Sequence, residues 1–288
     1  MRVRSFAKIN LGIEILGIRD DGFHEIRTLL QTLDFYDLLE FSLLPQDVII
    51  LEGDDDTIPW DNRNLIHRAA FLLKESFNLK GGIRIMARKK IPPGSGLGGG
   101  SSNAAVTLVA LNEIWGLGLE KKILMELGAL LGADVPFFLE GGLCLGQGKG
   151  DQIVPLEDMD PLFCVLALPP LPISTKTVYK RLLSSLTSQS KDSKIIRFLD
   201  SRELCILENE LEKSVFRLHP QIKGIKSLIR EQGSELSLMS GSGSAVFGLF
   251  RDRRRAQQAL EKIAKFHPAV LAKTVSRREC WKDWQTGV

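Results

Sequence analysis

Cysteine is scarce in this chain, and long apolar runs are missing. The four cysteines are scattered, with no CxxC spacing and no metal-type cluster: Cys144, Cys164, Cys205 and Cys280. We therefore expect reduced thiols in a cytoplasmic protein, with neither a disulfide scaffold nor a protein-built metal site. No apolar run approaches the length that spans a bilayer, and the opening residues lack the apolar core of a signal peptide. No membrane partner is expected.

An excess of one charge is missing too. The 38 Lys and Arg residues nearly balance the 35 Asp and Glu residues, so the net charge is only +3. This balance argues against a nucleic-acid partner, although a local basic pocket for an anionic substrate stays open. With 288 residues, of which 44% are hydrophobic, the chain can form one large domain or two modest ones.

Two basic runs stand out against this balance. Arg251 to Arg255 opens a predicted helix without interleaved aromatic residues, which favours a solvated face over a nucleic-acid contact. Arg88-Lys89-Lys90 ends a predicted strand, where such a run is usually solvated. Because it directly precedes the glycine-rich stretch described next, an electrostatic role is more plausible there than usual.

Glycine is concentrated in one stretch, Pro92 to Ala105, which reads PPGSGLGGGSSNAA. Glycines allow positive φ and a close backbone approach, so that successive N–H groups can face phosphate oxygens. A helix predicted over Ala104 to Trp115 adds free N–H donors and a partial positive charge, and Ser101 or Ser102 can cap it or offer a hydroxyl. The stretch predicts a phosphate-binding loop that leads into a helix.

Other glycine-rich motifs fit less well. A Walker loop needs Lys where Gly100 stands, and the chain has no HRD or DFG triplet of protein kinases. The pattern Gly94-x-Gly96-x-x-Gly99 fits the dinucleotide fingerprint formally, but the segment Lys121 to Leu131 is predicted to be helical where a βαβ unit needs a strand. A flexible linker is disfavoured because apolar periodic segments flank the stretch closely.

The pattern divides near Met159 to Pro161, which predicts domains of residues 1–158 and 159–288. The first half is β-rich, with a helix over Asn64 to Phe77 and a hairpin over Gly141 to Pro155. Its other predicted strands are Val3 to Leu16, Ile26 to Leu44 with a break near Asp37, Val48 to Leu51, and Ile83 to Ala87.

The second half is predicted in the order β, α, ββ, α, β, which is typical of an antiparallel sheet covered by helices. The predicted strands are Leu162 to Leu168, Leu236 to Met239, Ala245 to Phe250 and Val270 to Val275. The predicted helices are Ser174 to Leu186, Ser193 to Leu199, Asn209 to Leu218, Pro220 to Glu231 and Arg253 to Phe266.

Three polar positions are unusual singly. Lys8 shares a face of the apolar first strand with Asn10, although a solvated edge lysine is the commoner case. Asp134 lies among apolar residues; if buried it needs a cation nearby, while an N-cap for a short helix starting at Val135 is at least as common. His24 follows a turn, where a lone histidine is most often an ordinary surface residue.

Taken together, three segments resemble the GHMP small-molecule kinase family: Lys8 with Asn10, the stretch Pro92 to Ala105, and Met239-Ser240-Gly241-Ser242-Gly243. Further matching segments follow the family's order along most of the chain, namely Ala7 to Leu11, Asp21 to His24, Leu131 to Phe138 and Asn209 to Glu212. The resemblance implies an α+β, two-domain GHMP kinase fold, with a ribosomal protein S5 domain 2-like N-terminal layer and a ferredoxin-like α/β-plait C-terminal domain.

The resemblance also implies an activity, the transfer of the γ-phosphoryl group of ATP to the hydroxyl of a cytidine diphosphate alcohol. Asp134 would be the general base, with Lys8 beside it keeping the carboxylate ionised. The implied ATP-binding residues are Asn64 near the adenine, and Pro92, Pro93, Gly94, Ser95, Gly96, Leu97, Gly98, Gly99, Gly100, Ser101, Ser102 and Asn103.

The implied residues for the second substrate are Asn10, Phe23, His24, Lys149, Thr175, Tyr179 and Gly241. Phe23 would stack on the cytosine and His24 would hydrogen-bond it, with Tyr179 on the other face. The family commonly has Tyr where this chain has Phe23, which retains stacking but loses any hydroxyl contact. Mg²⁺ is expected with ATP, with Ser101, Ser102 or a neighbouring acid as possible ligands.

Three other functions are compared with this one. Another GHMP kinase, of the homoserine or mevalonate type, would have no use for Gly22-Phe23-His24, which suits a nucleobase. A nicotinamide-dependent oxidoreductase depends on the formal GxGxxG alone, and a nucleic-acid binder depends on Arg251 to Arg255 alone. We expect small-molecule partners only, and a monomer or weak homodimer.

Overall fold

The computed structural model describes residues 1–182 and 192–282. The N-terminal domain is built on a mixed sheet in which β2 is the central strand. β2 pairs with β1 along one edge, and with β5 and β4 in turn along the other. The strands are β1 (Arg2–Ile18), β2 (His24–Leu44), β3 (Ile49–Gly53), β4 (Gly82–Arg88), β5 (Leu143–Gln147) and β6 (Gln152–Pro155). The strand β3 runs parallel to β4, and the other pairings are antiparallel.

The predicted break near Asp37 is wrong, because β2 continues through that residue. Its register against β1 shifts instead, since Phe6 pairs with Tyr36 while Ala7 pairs with Leu33. Two extra residues therefore bulge out of β2 just before Asp37. A bulge re-aims side chains without ending a strand, which explains why the alternation looked interrupted.

Four helices cover this sheet: α1 (Leu65–Phe77), α2 (Gly99–Ile114), α3 (Lys121–Leu131) and α4 (Val135–Glu140). Asn64 caps α1, because its side chain accepts a hydrogen bond from the Ile66 N–H. The helix α2 begins at Gly99, earlier than the predicted Ala104, so its first turn lies inside the glycine-rich stretch. Glycine and serine have low helix propensity, so residue composition did not indicate a helix there.

The C-terminal domain has an antiparallel sheet in the spatial order β10-β7-β9-β8, with the strands β7 (Phe163–Ala167), β8 (Leu236–Met239), β9 (Val246–Phe250) and β10 (Ala269–Lys273). The predicted strand order and the antiparallel pairing are confirmed. Two βαβ-type halves interleaved in this way are the arrangement of a ferredoxin-like domain.

Its helices are α5 (Thr175–Leu182), α6 (Lys194–Ser201), α7 (Glu212–Leu218), α8 (Pro220–Glu231), α9 (Arg253–Ile263) and α10 (Arg277–Lys282), and a 3₁₀ turn covers Leu204–Ile206. The end of the helix predicted over Ser174 to Leu186 lies outside the described residues. The sequence did not predict α10, which is a six-residue helix packed on the N-terminal domain. Its Trp281 donates a hydrogen bond to the Glu140 carbonyl, 2.9 Å away.

A shared apolar core joins the two domains. Ile9 and Leu11 of β1 and Leu29 of β2 belong to one buried cluster with Leu166 and Phe247 of the C-terminal sheet. Backbone pairing adds to this contact, since Leu33 bridges Thr274 and Ile13 bridges Asn209. The segment between β6 and β7 contains the boundary predicted near residue 158, which stays a prediction.

Three predictions about surface and solubility can be compared with the fold. All four cysteines are free thiols, as predicted. Within residues 1–182 and 192–282, the helices are too short or too polar to cross a bilayer. Arg251 to Arg255 is exposed, Arg251 forms an ion pair with Glu235, and Asp252 caps α9. This is the solvated helix face that the sequence favoured.

Candidate active site

A cleft of about 1060 Å³ runs between the two domains. Its walls include every predicted site residue except Leu97 and Ser102. Leu97 is fully buried in the shared core, and Ser102 faces the opposite way, where its hydroxyl accepts a hydrogen bond from Ser5 at 2.7 Å. The side chains of these two predicted ATP-binding residues therefore lie outside the cleft lining.

The glycine-rich loop forms one wall of the cleft, and its glycines are required for two reasons. Gly96 and Gly98 have φ of +80° and +73°, a region that favours glycine. A Cβ on Gly96 would also lie 2.0 Å from the Ser240 carbonyl oxygen, and one on Gly98 would lie 2.6 Å from the Phe138 ring. Gly99, Gly100 and Ser101 line the cleft, and their N–H groups precede the first intrahelical hydrogen bond of α2, from the Ser102 amide to the Gly98 carbonyl.

A buried charged network holds this loop from behind. Asp37 is completely buried and accepts hydrogen bonds from the Lys90 and Ile91 amides, at 2.7 and 2.9 Å, and from the ammonium group of Lys89. Asn103 donates to Asp37 at 3.0 Å and accepts from Lys89 at 2.7 Å. The network therefore ties the residues before the loop to the helix after it.

Two sequence-based interpretations change because of this network. The side-chain amide of Asn103, a predicted ATP contact, is used within the protein, so Asn103 can contribute to ATP binding mainly by fixing the loop. Lys89 is buried in an ion pair, with its side chain 7% exposed, and is not a solvated strand end. Lys89 also lines the cleft, which favours the electrostatic role for the basic run.

Lys8 and Asp134 meet in the middle of the cleft. The Lys8 ammonium nitrogen lies 3.7 Å from the Asp134 Oδ2 and 2.5 Å from the Asn10 Oδ1. Lys8 is 3% exposed, so it is not the solvated edge lysine of the commoner interpretation. Asn10 is oriented in turn by Thr28, because the side-chain amide of Asn10 donates a hydrogen bond to the Thr28 hydroxyl oxygen at 2.9 Å. The structure therefore brings Lys8 and Asp134 together, and their catalytic roles stay a prediction.

Asp134 stands at the N-cap position of α4, but its side chain makes no capping hydrogen bond. The carboxylate instead points to Lys8, and its side chain is 41% exposed to the cleft. Asp134 therefore occupies the predicted N-cap position, but its side chain does not cap the helix. A carboxylate that is paired with one cation and open to solvent on the other side can accept a proton from a bound hydroxyl.

Phe23, His24 and Tyr179 form the far end of the cleft. The His24 and Tyr179 rings lie 5.1 Å apart at 50°. His24 is buried, and its Nε2 has no hydrogen-bond partner in the structure. Burial lowers the pKa of His24 below its usual value, which favours the neutral imidazole near pH 7. Burial, together with the charge of Asp134, raises the pKa of Tyr179, so its phenol stays protonated.

The remaining substrate-side residues lie around this end. Phe23 is 57% exposed, and the Lys149 ammonium nitrogen is 5.6 Å from the centre of its ring. The Thr175 hydroxyl hydrogen-bonds the Ser242 hydroxyl at 2.8 Å. An unpartnered buried nitrogen and an exposed ring face are the features that a planar, hydrogen-bonding base requires.

Asn64 lines the opposite end, beside residues that the sequence reasoning missed. The amide of Asn64 donates to the Pro59 carbonyl at 2.9 Å, and Trp60 lies next to it on the cleft wall. An aromatic residue in a polar loop just before a helix cap was a signal that could have identified Trp60. These residues give this end an apolar wall, which suits the adenine of ATP.

Family models match both domains of the chain. The model described as "GHMP kinases N terminal domain" matches residues 64–142, and "GHMP kinases C terminal" matches residues 195–269. The chain belongs to the GHMP kinase family, and the predicted fold and kinase class are confirmed.

Its relatives indicate a more particular enzyme. The 4-diphosphocytidyl-2-C-methyl-D-erythritol kinase of Caldicellulosiruptor bescii is 38% identical over 282 residues, which cover 95% of this chain and 98% of that protein.

Solved structures agree with this result. A crystal structure of 4-(cytidine 5'-diphospho)-2C-methyl-D-erythritol kinase superposes with a TM-score of 0.82 at 34% identity, over 95% of this chain and 99% of that one. A homoserine kinase from Cytophaga hutchinsonii superposes with a TM-score of 0.73 at 21% identity, over 97% of this chain and 96% of that one. The second likeness shows the fold alone.

Proposed function

We propose that the protein transfers the γ-phosphoryl group of ATP to the 2-hydroxyl of 4-diphosphocytidyl-2-C-methyl-D-erythritol, giving the 2-phosphate and ADP. This reaction belongs to the non-mevalonate pathway to isoprenoid precursors, and we place it in the cytoplasm. The observation that carries the proposal is one continuous cleft in which Lys8 and Asp134 stand between the phosphate loop and the His24–Tyr179 end.

The acceptor hydroxyl would lie at Asp134. Its carboxylate takes the hydroxyl proton as the oxygen attacks the γ-phosphorus, and the bond to the ADP oxygen breaks on the opposite side. Lys8 keeps its proton and stabilises the negative charge that develops on the attacking oxygen. Asn10 holds the Lys8 ammonium group in place through their 2.5 Å contact. Positioning and charge therefore supply most of the rate, as in other phosphoryl transfers.

ATP would lie with its phosphates on the loop of residues 92–103 and its adenine near Asn64 and Trp60. The free amides at the start of α2 bind the phosphate oxygens. Glycine at 94, 96 and 98 lets the backbone approach them without a side chain in between. The side chains of Lys89 and Asn103 support this backbone from behind.

Mg²⁺ fits this site as an ion carried by ATP. The described residues contain no cluster of three or more His, Cys, Asp and Glu side chains that could hold a metal alone. The hydroxyl of Ser101 lines the cleft at the phosphate loop and would hold the ion together with phosphate oxygens and water. When bound, the ion neutralises phosphate charge.

The cytidine half of the acceptor accounts for the far end of the cleft. A base stacked near Phe23 and Tyr179 would give the unpartnered Nε2 of His24 its hydrogen bond. Lys149 and Thr175 lie where the diphosphate and ribose would follow. A small aliphatic alcohol, such as homoserine, would leave all of these groups unused. We also propose a monomer or weak homodimer as the working form.

The test is ADP release coupled to NADH oxidation, with purified protein, ATP and Mg²⁺ and one acceptor at a time. We expect turnover with 4-diphosphocytidyl-2-C-methyl-D-erythritol and none with homoserine or mevalonate. Turnover with homoserine or mevalonate alone would contradict the proposed substrate while leaving the kinase class intact. Product identity is checked by the ³¹P resonance of a phosphate monoester, which separates transfer to the alcohol from hydrolysis of ATP.

A further inference from the structure

Asn209 is a buried residue outside the cleft lining that contacts the third glycine-containing loop, residues 239–243. Its side-chain amide donates to both the Met239 and the Gly241 carbonyl oxygens, each at 2.8 Å. Its side-chain oxygen accepts from the Leu211 amide at 3.0 Å. With 2% exposure, Asn209 therefore has its hydrogen bonds satisfied by three backbone groups and none by solvent.

The position of Asn209 is set by the catalytic strand itself. Its neighbours pair with β1, because the Ile13 amide donates to the Glu208 carbonyl at 2.9 Å and the Glu210 amide donates to the Ile13 carbonyl at 3.0 Å. Ile13 lies on the same strand as Lys8. The segment around Asn209 therefore fixes loop 239–243 in register with the strand that carries Lys8 and Asn10.

The two carbonyls that Asn209 binds flank Ser240, and Ser240 completes the connection to the cleft. The Ser240 hydroxyl donates to the Gly96 carbonyl at 2.9 Å and accepts from the backbone amide of Asn10 at 3.4 Å. A Cβ on Gly241 would lie 3.2 Å from the Asn10 Oδ1 and 3.6 Å from the Lys8 Nζ. The loop backbone therefore packs directly against the Lys8–Asn10 pair.

Glu212 supports the same loop from the other side. Its carboxylate accepts from the Met239 amide at 2.8 Å and from the Lys226 ammonium group at 2.5 Å. Asn209 and Glu212 thus hold both polar groups of the Met239 backbone. The contacts form a closed ring that runs from β1 through Asn209 and Ser240 to the phosphate loop and back to β1.

We propose that Asn209 is a positioning residue, which acts through Ser240 to fix the spacing between the phosphate loop and the Lys8–Asn10 pair. It touches neither ATP nor the acceptor. Because the acceptor oxygen and the γ-phosphorus must be held in line, a small shift of one wall lowers the rate of transfer more than it lowers binding. The proposal rests on the proposed phosphoryl transfer, and its test does not depend on which alcohol is the substrate.

The test compares Asn209→Ala and Ser240→Ala with a matched control, Asn112→Ala. Asn112 also makes two side-chain bonds to one backbone segment, donating to the Leu119 carbonyl at 3.1 Å and accepting from its amide at 2.9 Å, but it lies outside the cleft lining. We expect Asn209→Ala and Ser240→Ala each to lower kcat about tenfold or more, with the acceptor KM changed less than about threefold. Asn112→Ala should lower Tm only.

A second measurement is independent of turnover. The Lys8 amide donates to the Leu97 carbonyl and the Ala245 amide to the Ser95 carbonyl, each at 3.0 Å, so both report on the spacing of the walls. In native-state hydrogen exchange, we expect both amides to exchange faster in Asn209→Ala and in Ser240→Ala than in Asn112→Ala. If Asn209→Ala does not fold, Ser240→Ala decides the outcome, because it keeps the backbone carbonyls that Asn209 binds.

The proposal is overturned if both variants keep wild-type exchange at these amides, or if kcat stays within about twofold of wild type while only Tm falls. The kinetic arm uses whichever alcohol the wild type phosphorylates. Turnover with homoserine alone would therefore refute the proposed substrate and still test Asn209. If the wild type phosphorylates none of the three alcohols, the exchange result decides the positioning role.

Discussion

The two ends of the cleft are built in different ways. At the phosphate end, the ligand-facing atoms are backbone amides, and nearby side chains such as Asp37, Lys89 and Asn103 bond to one another. At the acceptor end, side chains face the cleft directly and keep bonding capacity for a ligand: the Nε2 of His24 has no partner, and the Asp134 carboxylate, paired with Lys8 at 3.7 Å, is 41% exposed. One end is fixed before ligand arrives, whereas the other completes its bonds with ligand.

This difference predicts which substitutions lower stability and which lower turnover or acceptor binding. A change at the phosphate end disturbs a closed network, so stability and ATP binding should fall together. A change at the acceptor end removes a group with few bonds inside the folded protein, so stability should change little while turnover or acceptor binding falls.

The largest effect is expected at Asp134. Asp134→Asn keeps the size of the side chain but removes the proton acceptor, so kcat should fall about a thousandfold. The carboxylate caps nothing and is 41% exposed, but it lies 3.7 Å from the buried Lys8 ammonium group, so Tm should fall only slightly. The measurement is kcat by ADP release together with thermal unfolding. A variant that retains most of its turnover would show that Asp134 is not the base.

The next effect concerns Gly96 at the phosphate end. Gly96→Ala places a Cβ 2.0 Å from the Ser240 carbonyl at a φ of +80°, so the loop must move. We expect the KM for ATP to rise about tenfold or more and Tm to fall, since a shifted loop loses phosphate contacts. The KM is measured from ADP release at varied ATP concentration, and Tm is measured by thermal unfolding.

The matched control for this variant is Gly233→Ala. Gly233 has a nearly identical φ of +82°, but a Cβ there meets nothing within 4 Å. It should lose about 1 kcal/mol of folding free energy from backbone strain alone and keep the wild-type KM for ATP. Equal behaviour of the two variants would mean that contact between the loops does not matter.

A smaller effect is expected at His24. His24→Ala removes the buried nitrogen that has no protein partner, so the KM for the cytidine acceptor should rise about tenfold while the KM for ATP is unchanged. Initial rates with each substrate varied in turn provide both values. A rise in the KM for ATP as well would show that the two ends of the cleft do not bind their ligands independently.

The smallest effect is a pH dependence of stability at the acceptor end. Burial lowers the pKa of His24 in the folded protein, whereas the unfolded chain titrates near the ordinary 6.5. The unfolded state therefore binds the proton more readily, and the contribution of His24 to stability is present above 6.5 and is lost as pH falls through the folded pKa. The loss of Tm on acidification should be smaller in His24→Ala than in wild type, and His67→Ala serves as the control. Parallel Tm curves for wild type and His24→Ala would contradict it.

Much of the fold could be predicted because strand alternation and helix periodicity are local properties. The helix α8 (Pro220–Glu231) and the hairpin predicted over Gly141 to Pro155 agree with the structure. The failures have local causes too. The bulge before Asp37 interrupts the alternation without ending β2, and α2 begins in residues of low helix propensity.

The proximity of Lys8 and Asp134 could be predicted because both residues were anomalous in the sequence. A lysine on an apolar strand and an aspartate in an apolar segment each needed the other, and the family resemblance connected them. The supporting residues gave no such signal. Asp37 is an ordinary strand residue by pattern, and the bonds of Asn209 join backbone groups about 30 residues further along the chain. Contacts of this kind depend on tertiary packing, which periodicity does not encode.

The long separation between Asn10 and Ser240 has a consequence for biosynthesis. The backbone amide of Asn10 donates a hydrogen bond to the hydroxyl of Ser240, which lies 230 residues further along the chain. As the chain leaves the ribosome, the phosphate loop, Lys8 and Asp134 all emerge well before Ser240, and N-terminal segments fold first. A nascent chain therefore contains the proposed catalytic groups before it contains the loop that we propose sets their spacing. Phosphoryl transfer should then begin only after the residues around Ser240 have been made, so shorter nascent chains should not consume ATP productively.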